Sequence, residues 1–169
     1  MKKDRKTAAA KCRKAADADK PKIISILKAS FNKIYAYYAA KSFKSLRNTL
    51  VTTDKTGVTG VINWRNFRIG KTDVCYLYWL AVRPDRRRQG LGTALFRGAI
   101  RNMRKGKKCA MICGATEKSN AKERRMLAKE GFSIISRKAL KEKFGKGTSR
   151  IIRLMNLMPW EDLYVKAEK

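Results

Sequence analysis

The chain has 169 residues, 44% of them hydrophobic, a formal net charge of +29 and no histidine. Such a length suits one domain around a single core, and the charge favours contact with polyanions, nucleic acid first, while opposing compaction through self-repulsion. The longest apolar run is far too short for a bilayer and the N-terminus has no signal-peptide apolar region, so a soluble cytoplasmic protein with no membrane partner is expected.

Residues Met1 to Lys22 are rich in alanine and basic side chains, and read as an arm that is disordered or becomes helical on a polyanion. The remainder, 23–169, forms the folded domain. In Ile23 to Leu46, the residues Leu27, Phe31, Ile34, Tyr35, Tyr38 and Phe43 recur at mostly helical spacing after Pro21, which predicts one or two amphipathic helices. Thr49 to Thr53 and Val58 to Phe67, parted by Asp54-Lys55-Thr56-Gly57, predict a β-hairpin.

Val74 to Val82 is too short and too aromatic for a helix and reads as a buried strand closed by Pro84. Arg87-Arg88-Gln89-Gly90-Leu91-Gly92 follows, then Leu91, Leu95, Phe96, Ala99 and Met103 at helical spacing. Strand, glycine loop and helix make a phosphate-binding layout. First-turn N–H groups lack intrahelical partners and sit at the positive end of the dipole, and glycines let an anion approach the backbone. The glycines do not fit the G-x-G-x-x-G dinucleotide fingerprint.

Lys108 to Gly114 reads as another strand. Ser119 or Asn120 caps the next helix, with Glu123 three residues after Asn120, and Gly131 ends that helix before the extended Phe132 to Ser136. Arg137 to Arg150 reads as a basic loop or short helix, and Ile151 to Leu157 as a last strand stopped by Pro159. Cys12, Cys75, Cys109 and Cys113 contain no zinc-type pair, and without histidine no metal site is expected; they read as buried free thiols of a reducing compartment.

Two stretches resemble one family. Leu80-Ala81-Val82-Arg83-Pro84 followed by Arg87-x-x-Gly90-x-Gly92 is similar to the L-x-V-x-P strand end and [QR]-x-x-G-x-[GA] loop of the GNAT superfamily of acyl-coenzyme A N-acyltransferases. Asn120 followed by Gly131-Phe132 resembles that family's N-x-x-A-x-x-L-Y-x-x-x-G-F segment. The likeness covers about 49–157. It implies a mixed α/β fold with a largely antiparallel twisted sheet flanked by helices, and a first strand before the first helices, near Lys22 to Leu27. It further implies acetyl-coenzyme A as co-substrate without a metal. Leu80, Ala81 and Val82 would hold the pantetheine arm, Arg87, Arg88, Gln89, Gly90, Leu91, Gly92 and Thr93 the pyrophosphate, and Asn120 the pantetheine side.

The family's acid and base positions are not filled in the usual way: Tyr78 stands where a glutamate is common, and Leu127 where the general-acid tyrosine is usual. Tyr78 and Tyr76 are the catalytic candidates, acting through water. Alternatively the acceptor amine arrives neutral, as an α-amino group with a pKa of about 7.7–8.0 can near neutral pH or as a nucleobase amine, or the chain binds coenzyme A without efficient turnover. The charge points to an acceptor on RNA, aminoacyl-tRNA or a ribonucleoprotein, contacted by Lys118, Lys122, Arg124, Arg125, Lys129, Arg137 and Lys138 as phosphate partners. Protein lysines or N-terminal amines, and a non-catalytic nucleic-acid-binding module, are the alternatives. A homodimer is left open.

Overall fold

The structure is a computed structural model that describes residues 12–106 and 109–168. Its elements in chain order are β1 (Cys12–Lys14), α1 (Lys20–Ser30), α2 (Lys33–Ser42), β2 (Thr49–Asp54), β3 (Gly57–Ile69), β4 (Thr72–Val82), α3 (Leu91–Gly106), β5 (Met111–Glu117), α4 (Ala121–Lys129), β6 (Ser133–Ile135), α5 (Arg137–Phe144), α6 (Thr148–Met155) and β7 (Glu161–Ala167). The strands form a seven-stranded sheet in the order β1-β2-β3-β4-β5-β7-β6. Pairing is antiparallel at β1/β2, β2/β3, β5/β7 and β6/β7, and parallel at β4/β5. This is the mixed, largely antiparallel sheet with flanking helices that the resemblance implies.

The chain folds as two compact units, each discontinuous in sequence. One takes the described residues up to Asn63 together with Trp79–Ala99; the other takes Trp64–Tyr78 and the chain from Ile100 onward.

In the first unit, α1 buries Ile23, Ile26 and Leu27 at helical spacing against Ala39, Phe43, Val51, Val58, Val61 and Ala81. Pro21 sits in the first turn of α1, where its missing N–H costs nothing. Asn32 caps α2 by accepting from the Tyr35 N–H at 2.9 Å. The β2–β3 turn is built by Asp54, which accepts from the Thr56 N–H at 2.7 Å, with Gly57 at φ +102°. Arg13 makes a two-bond pair with Asp19, at 2.7 and 2.8 Å, and holds that carboxyl below its ordinary pKa.

In the second unit, Val74, Tyr76, Met111, Cys113, Leu140, Ile151, Met155 and Leu163 share one apolar cluster. The parallel register Val74↔Met111 to Leu77↔Gly114 puts alternate residues of β4 and β5 on the same face. Gly131, at φ +81°, ends α4, and the Phe132 N–H donates back to the Leu127 carbonyl at 3.0 Å.

Three expectations are corrected. The first strand is Cys12–Lys14, and Lys22 to Leu27 belongs to α1, because Ile23, Ile26 and Leu27 form a helical stripe rather than an alternating one. Ile151 to Leu157 is not the last strand: Ile151 and Met155, four apart, are buried from helix α6, and the last strand, Glu161–Ala167, comes after Pro159 instead of ending there. Cys75 and Cys109 are paired as a disulfide with Cα atoms 5.8 Å apart, while Cys12 and Cys113 stand outside that disulfide. Spacing along the chain said nothing of this pair, which the β4/β5 neighbourhood creates. Residues 1–11 of the basic arm lie outside the described residues.

Candidate active site

β4 ends in Leu80-Ala81-Val82, and the Arg83 N–H still donates to the Thr59 carbonyl at 2.8 Å, so the strand is held to its last residue. Pro84–Arg86 form a single 3-10 turn. Arg88 then takes φ +63° and Gly90 φ +76°, which reverses the chain into α3. The Ala94 N–H closes the first helical bond, to the Gly90 carbonyl, at 3.0 Å.

The glycines leave room where the resemblance puts an anion. A β-carbon built on Gly90 meets nothing within 4 Å, and one on Gly92 meets only Val82 Cγ2, at 3.8 Å. The residues present therefore fit a pyrophosphate: open space beside the backbone, the positive end of a long helix, and arginine at the rim.

The arginines of this loop do different work. Arg83 Nε donates to Asp85 and Arg86 Nε to Asp54, each at 2.7 Å, which fastens the turn to the β2–β3 hairpin. Thr56, Arg86 and Arg83 thereby hold Asp54 and Asp85 below the usual carboxylate range, Thr56 being the largest cause at Asp54 and Arg83 at Asp85. Arg87 donates from Nε to the Val82 carbonyl at 3.2 Å and from Nη2 to Ser30 Oγ at 3.3 Å, tying the end of α1 to the loop. Arg88 and Gln89 are exposed, and no ion pair among the described residues meets the Arg88 guanidinium.

The strand leading to Leu80 is fixed by a residue that the sequence reading missed. The Trp79 N–H donates to Asn63 Oδ1 at 3.1 Å, Asn63 Nδ2 donates to Ser42 Oγ at 3.4 Å, and Ser42 Oγ donates to the Ala39 carbonyl at 2.7 Å. A side-chain amide thus serves the backbone of β4 and links it to the end of α2. The signal was an asparagine set between the apolar Ile62 and Trp64, and the fold leaves it 4% exposed. Phe31 and Tyr35 pack edge-on against Trp79, with ring centroids 5.3 and 6.0 Å away.

In the second unit, Tyr76 is 4% exposed within the apolar cluster, and burial drives its hydroxyl pKa well above the ordinary value. Tyr78 is half-buried, edge-on to Tyr76 at 5.5 Å, with the Arg65 guanidinium 4.6 Å from its ring centroid. Burial raises its pKa too, against an opposing pull from Arg65. Leu127 is buried. Asn120 is the N-cap of α4: its Oδ1 accepts from the Glu123 N–H at 3.3 Å and its Nδ2 donates to Glu123 Oε2 at 2.9 Å. Thr116 Oγ1 also donates to that oxygen, at 2.7 Å, yet burial wins and raises the Glu123 pKa.

Of the expected phosphate contacts, Lys118, Lys122, Arg125, Lys129 and Lys138 are exposed. Arg124 is engaged internally, donating to the Tyr164 hydroxyl at 3.1 Å and the Lys118 carbonyl at 2.9 Å, and Arg137 donates to the Met158 carbonyl at 3.4 Å. Arg124 and Arg125 flank a surface groove of about 430 Å³ floored by Phe132, Ile134 and Tyr164. Among the described residues no helix is long and apolar enough to cross a membrane.

Comparison with known proteins bears on this geometry. No curated protein matches the chain. Among solved structures, the NatC complex bound to Gag peptide and CoA contains a chain similar at a TM-score of 0.72 and 15% identity, over 94% of this chain and 98% of that one. The ribosomal-protein-S18-alanine N-acetyltransferase of Escherichia coli is similar at a TM-score of 0.64 and 20% identity, over 92% and 90%. The PaiA N-acetyltransferase of Thermoplasma acidophilum in complex with coenzyme A is similar at a TM-score of 0.66 and 13% identity, over 95% and 99%. Residues 22–132 match the Acetyltransferase (GNAT) family, and with two thirds of its length inside that match, the chain belongs to this family of acyl-coenzyme A N-acyltransferases.

Proposed function

We propose that this chain transfers an acetyl group from acetyl-coenzyme A to an α-amino group that arrives on RNA or on a ribonucleoprotein, either as an aminoacyl-tRNA or as the N-terminus of an RNA-associated protein. The observation that carries the reading is the state of the carboxylates. Among the described residues, every one before Glu117 is ion-paired: Asp17 with Lys20, Asp19 with Arg13, Asp54 with Arg86, Asp73 with Arg68, and Asp85 with Arg83 and Arg86. At Asp19, Asp54 and Asp85 the pairing holds the carboxyl below its ordinary pKa, which makes a poor proton acceptor, and the chain has no histidine. An acceptor with a pKa of about 7.7–8.0 needs no strong base, and a positive surface lowers that pKa further.

Acetyl-coenzyme A, when bound, supplies an acyl group on a thiolate leaving group. The chain's part is to hold and orient. Arg88, Gly90, Gly92 and the first turn of α3 would take the pyrophosphate, with Arg87 bracing the loop. The backbone of Leu80, Ala81 and Val82 would take the pantetheine arm and donate to the acyl oxygen as charge develops there, an effect worth a few kcal/mol in comparable sites, about 3–4 for one donor. Tyr78, the more exposed of the two tyrosines, is the proposed route for a proton through water. Tyr76 then serves as packing behind it.

The carrier is inferred from charge. Between Asp19 and Asp54 the chain has no acidic residue, while Lys20, Lys22, Lys28, Lys33, Lys41, Lys44 and Arg47 fall in that stretch. The test is incorporation of labelled acetyl groups into a cell extract before and after ribonuclease treatment. Loss of most incorporation after ribonuclease is expected. Undiminished transfer to protein would overturn the RNA-borne acceptor and favour a second reading, a protein N-terminal acetyltransferase acting on free polypeptide. The likeness in fold to the NatC and ribosomal-protein-S18-alanine enzymes lends support to that second reading.

A further inference from the structure

Helix α2 carries apolar residues on two opposite faces. Ala36 and Ala39 are 7% and 0% exposed, and Ala39 packs in the first unit's core. Ile34, Tyr37 and Tyr38, at 68%, 55% and 46% exposure, stand with exposed Lys41 at positions i, i+3, i+4 and i+7, so they form one stripe toward solvent. Large exposed apolar side chains are normally scattered. Here half of those among the described residues share one helix face, the others being Ile134, Leu154 and Trp160.

We propose that this stripe is a stacking platform for single-stranded RNA, a docking surface that brings the acceptor's carrier to the enzyme. The proposal rests on the reading of an RNA-borne acceptor given above. Two tyrosine rings, 5.5 Å apart at their centroids and set edge-to-face, offer flat surfaces on which any base stacks regardless of sequence. Lys41 Nζ sits 4.3 Å from the Tyr37 centroid, and Lys33 and Lys44 flank the stripe, exposed and with no acidic residue on the helix. Aromatic faces set among cations match a strand of bases on a phosphate backbone. A second copy of the chain fits poorly, because a two-fold contact would set these lysines against themselves. An acidic peptide would satisfy the lysines and leave both ring faces unused.

The platform is mechanically joined to the acyl site. Tyr35 on the packed side touches Trp79, and Ser42 at the helix end accepts from the Asn63 amide that holds the Trp79 N–H. RNA on the stripe would thus lie about one helix diameter, ~10–12 Å, from the packed side of α2.

The test is binding of a labelled single-stranded oligoribonucleotide of about 12 nucleotides, and of its duplex, by fluorescence anisotropy at fixed salt. The unaltered protein should prefer the single strand. The Tyr37→Ala/Tyr38→Ala variant should bind it roughly 10- to 100-fold more weakly, with the same melting temperature, coenzyme A affinity and salt slope, since no cation is removed. The Tyr37→Phe/Tyr38→Phe variant, which keeps the rings, should bind within about two-fold of the unaltered protein. Iodination of Tyr37 and Tyr38 mapped by mass spectrometry reads the same contact without substitution: RNA should protect both. Alanine and unaltered proteins that bind alike, a preference for duplex, no protection, or a dimer that the alanine variant dissociates would each overturn the platform. Failure of the acceptor reading looks different: transfer would then resist ribonuclease while the alanine variant still loses RNA binding.

Discussion

At Gly92 a β-carbon would meet only Val82 Cγ2, at 3.8 Å, so internal packing does not demand the glycine. Gly92→Ala should therefore leave the melting temperature unchanged or slightly higher, alanine being the better helix former by up to about 1 kcal/mol, while KM for acetyl-coenzyme A rises about ten-fold through lost approach to the backbone. Steady-state kinetics beside thermal melts separate the two effects. Glu123 makes a pH-dependent prediction. Its folded-state pKa is raised, chiefly by burial, with Glu161 and Glu117 adding to the rise. The folded protein then holds more protons than the unfolded one above the ordinary carboxyl range, so stability is intact below that range and falls as pH rises through the folded value. Glu123→Gln, whose amide oxygen still accepts from Thr116, removes that loss. Its advantage in melting temperature over the unaltered protein should be small at pH ~4 and larger at pH ~8; a constant difference would mean Glu123 ionises normally.

Among the elements, β3 is closely packed at Gly60. A β-carbon on Gly60 would come 2.9 Å from Thr52 Oγ1, 3.0 Å from Leu95 Cδ1 and 3.2 Å from the Ala81 carbonyl oxygen. β2, α3 and the end of β4 thus close on one glycine, and Ala81 belongs to the stretch that would hold the pantetheine arm. Gly60→Ala should cost about 1–3 kcal/mol by overpacking, read as a lower denaturation midpoint, and should weaken acetyl-coenzyme A binding because the Ala81 carbonyl has to move. Loss of stability with unchanged cofactor affinity would place the strain on Thr52 and Leu95 alone. The α1–α2 pair also meets β4, through Trp79 and the Asn63–Ser42 hydrogen bonds.

For the whole molecule, the +29 charge predicts how transfer responds to solution conditions. Each phosphate neutralised releases counterions, with a slope of about −0.7 per contact in log affinity against log salt for single strands. Affinity for RNA should fall steeply with salt. The pH profile belongs to this scale as well, because it tests the whole set of paired carboxylates: kcat/KM should rise with pH to a plateau governed by one apparent pKa below about 8, that of the acceptor amine. A further ionisation near pH ~5–6 would reveal an enzyme base of raised pKa among the carboxylates.

Much of this fold is legible along the chain because its signals are local. Periodicity marks α3 through Leu95, Ala99 and Met103, composition marks β4, and Asn120 with Gly131 bounds α4, since helix spacing, capping and turn chemistry act within a few residues. The resemblance to the GNAT family rests on two short motifs whose backbone demands are equally local, and the family match over residues 22–132 bears it out. What the chain order hides is set by partners distant in sequence. Ile151 to Leu157 satisfies both a strand and a helix, and only burial of Ile151 and Met155 beside Val74 and Met111 selects the helix. Cys75 and Cys109 meet because β4 runs beside β5. Asn63 becomes a support for β4 only where the sheet brings Trp79 within hydrogen-bonding distance. Sequence alone determined the charge, the family motifs and the elements with strong local signals; the tertiary structure decided the first and last strands, which polar groups are already spent on one another and which aromatic faces are left to solvent, because these depend on long-range packing that local patterns do not encode.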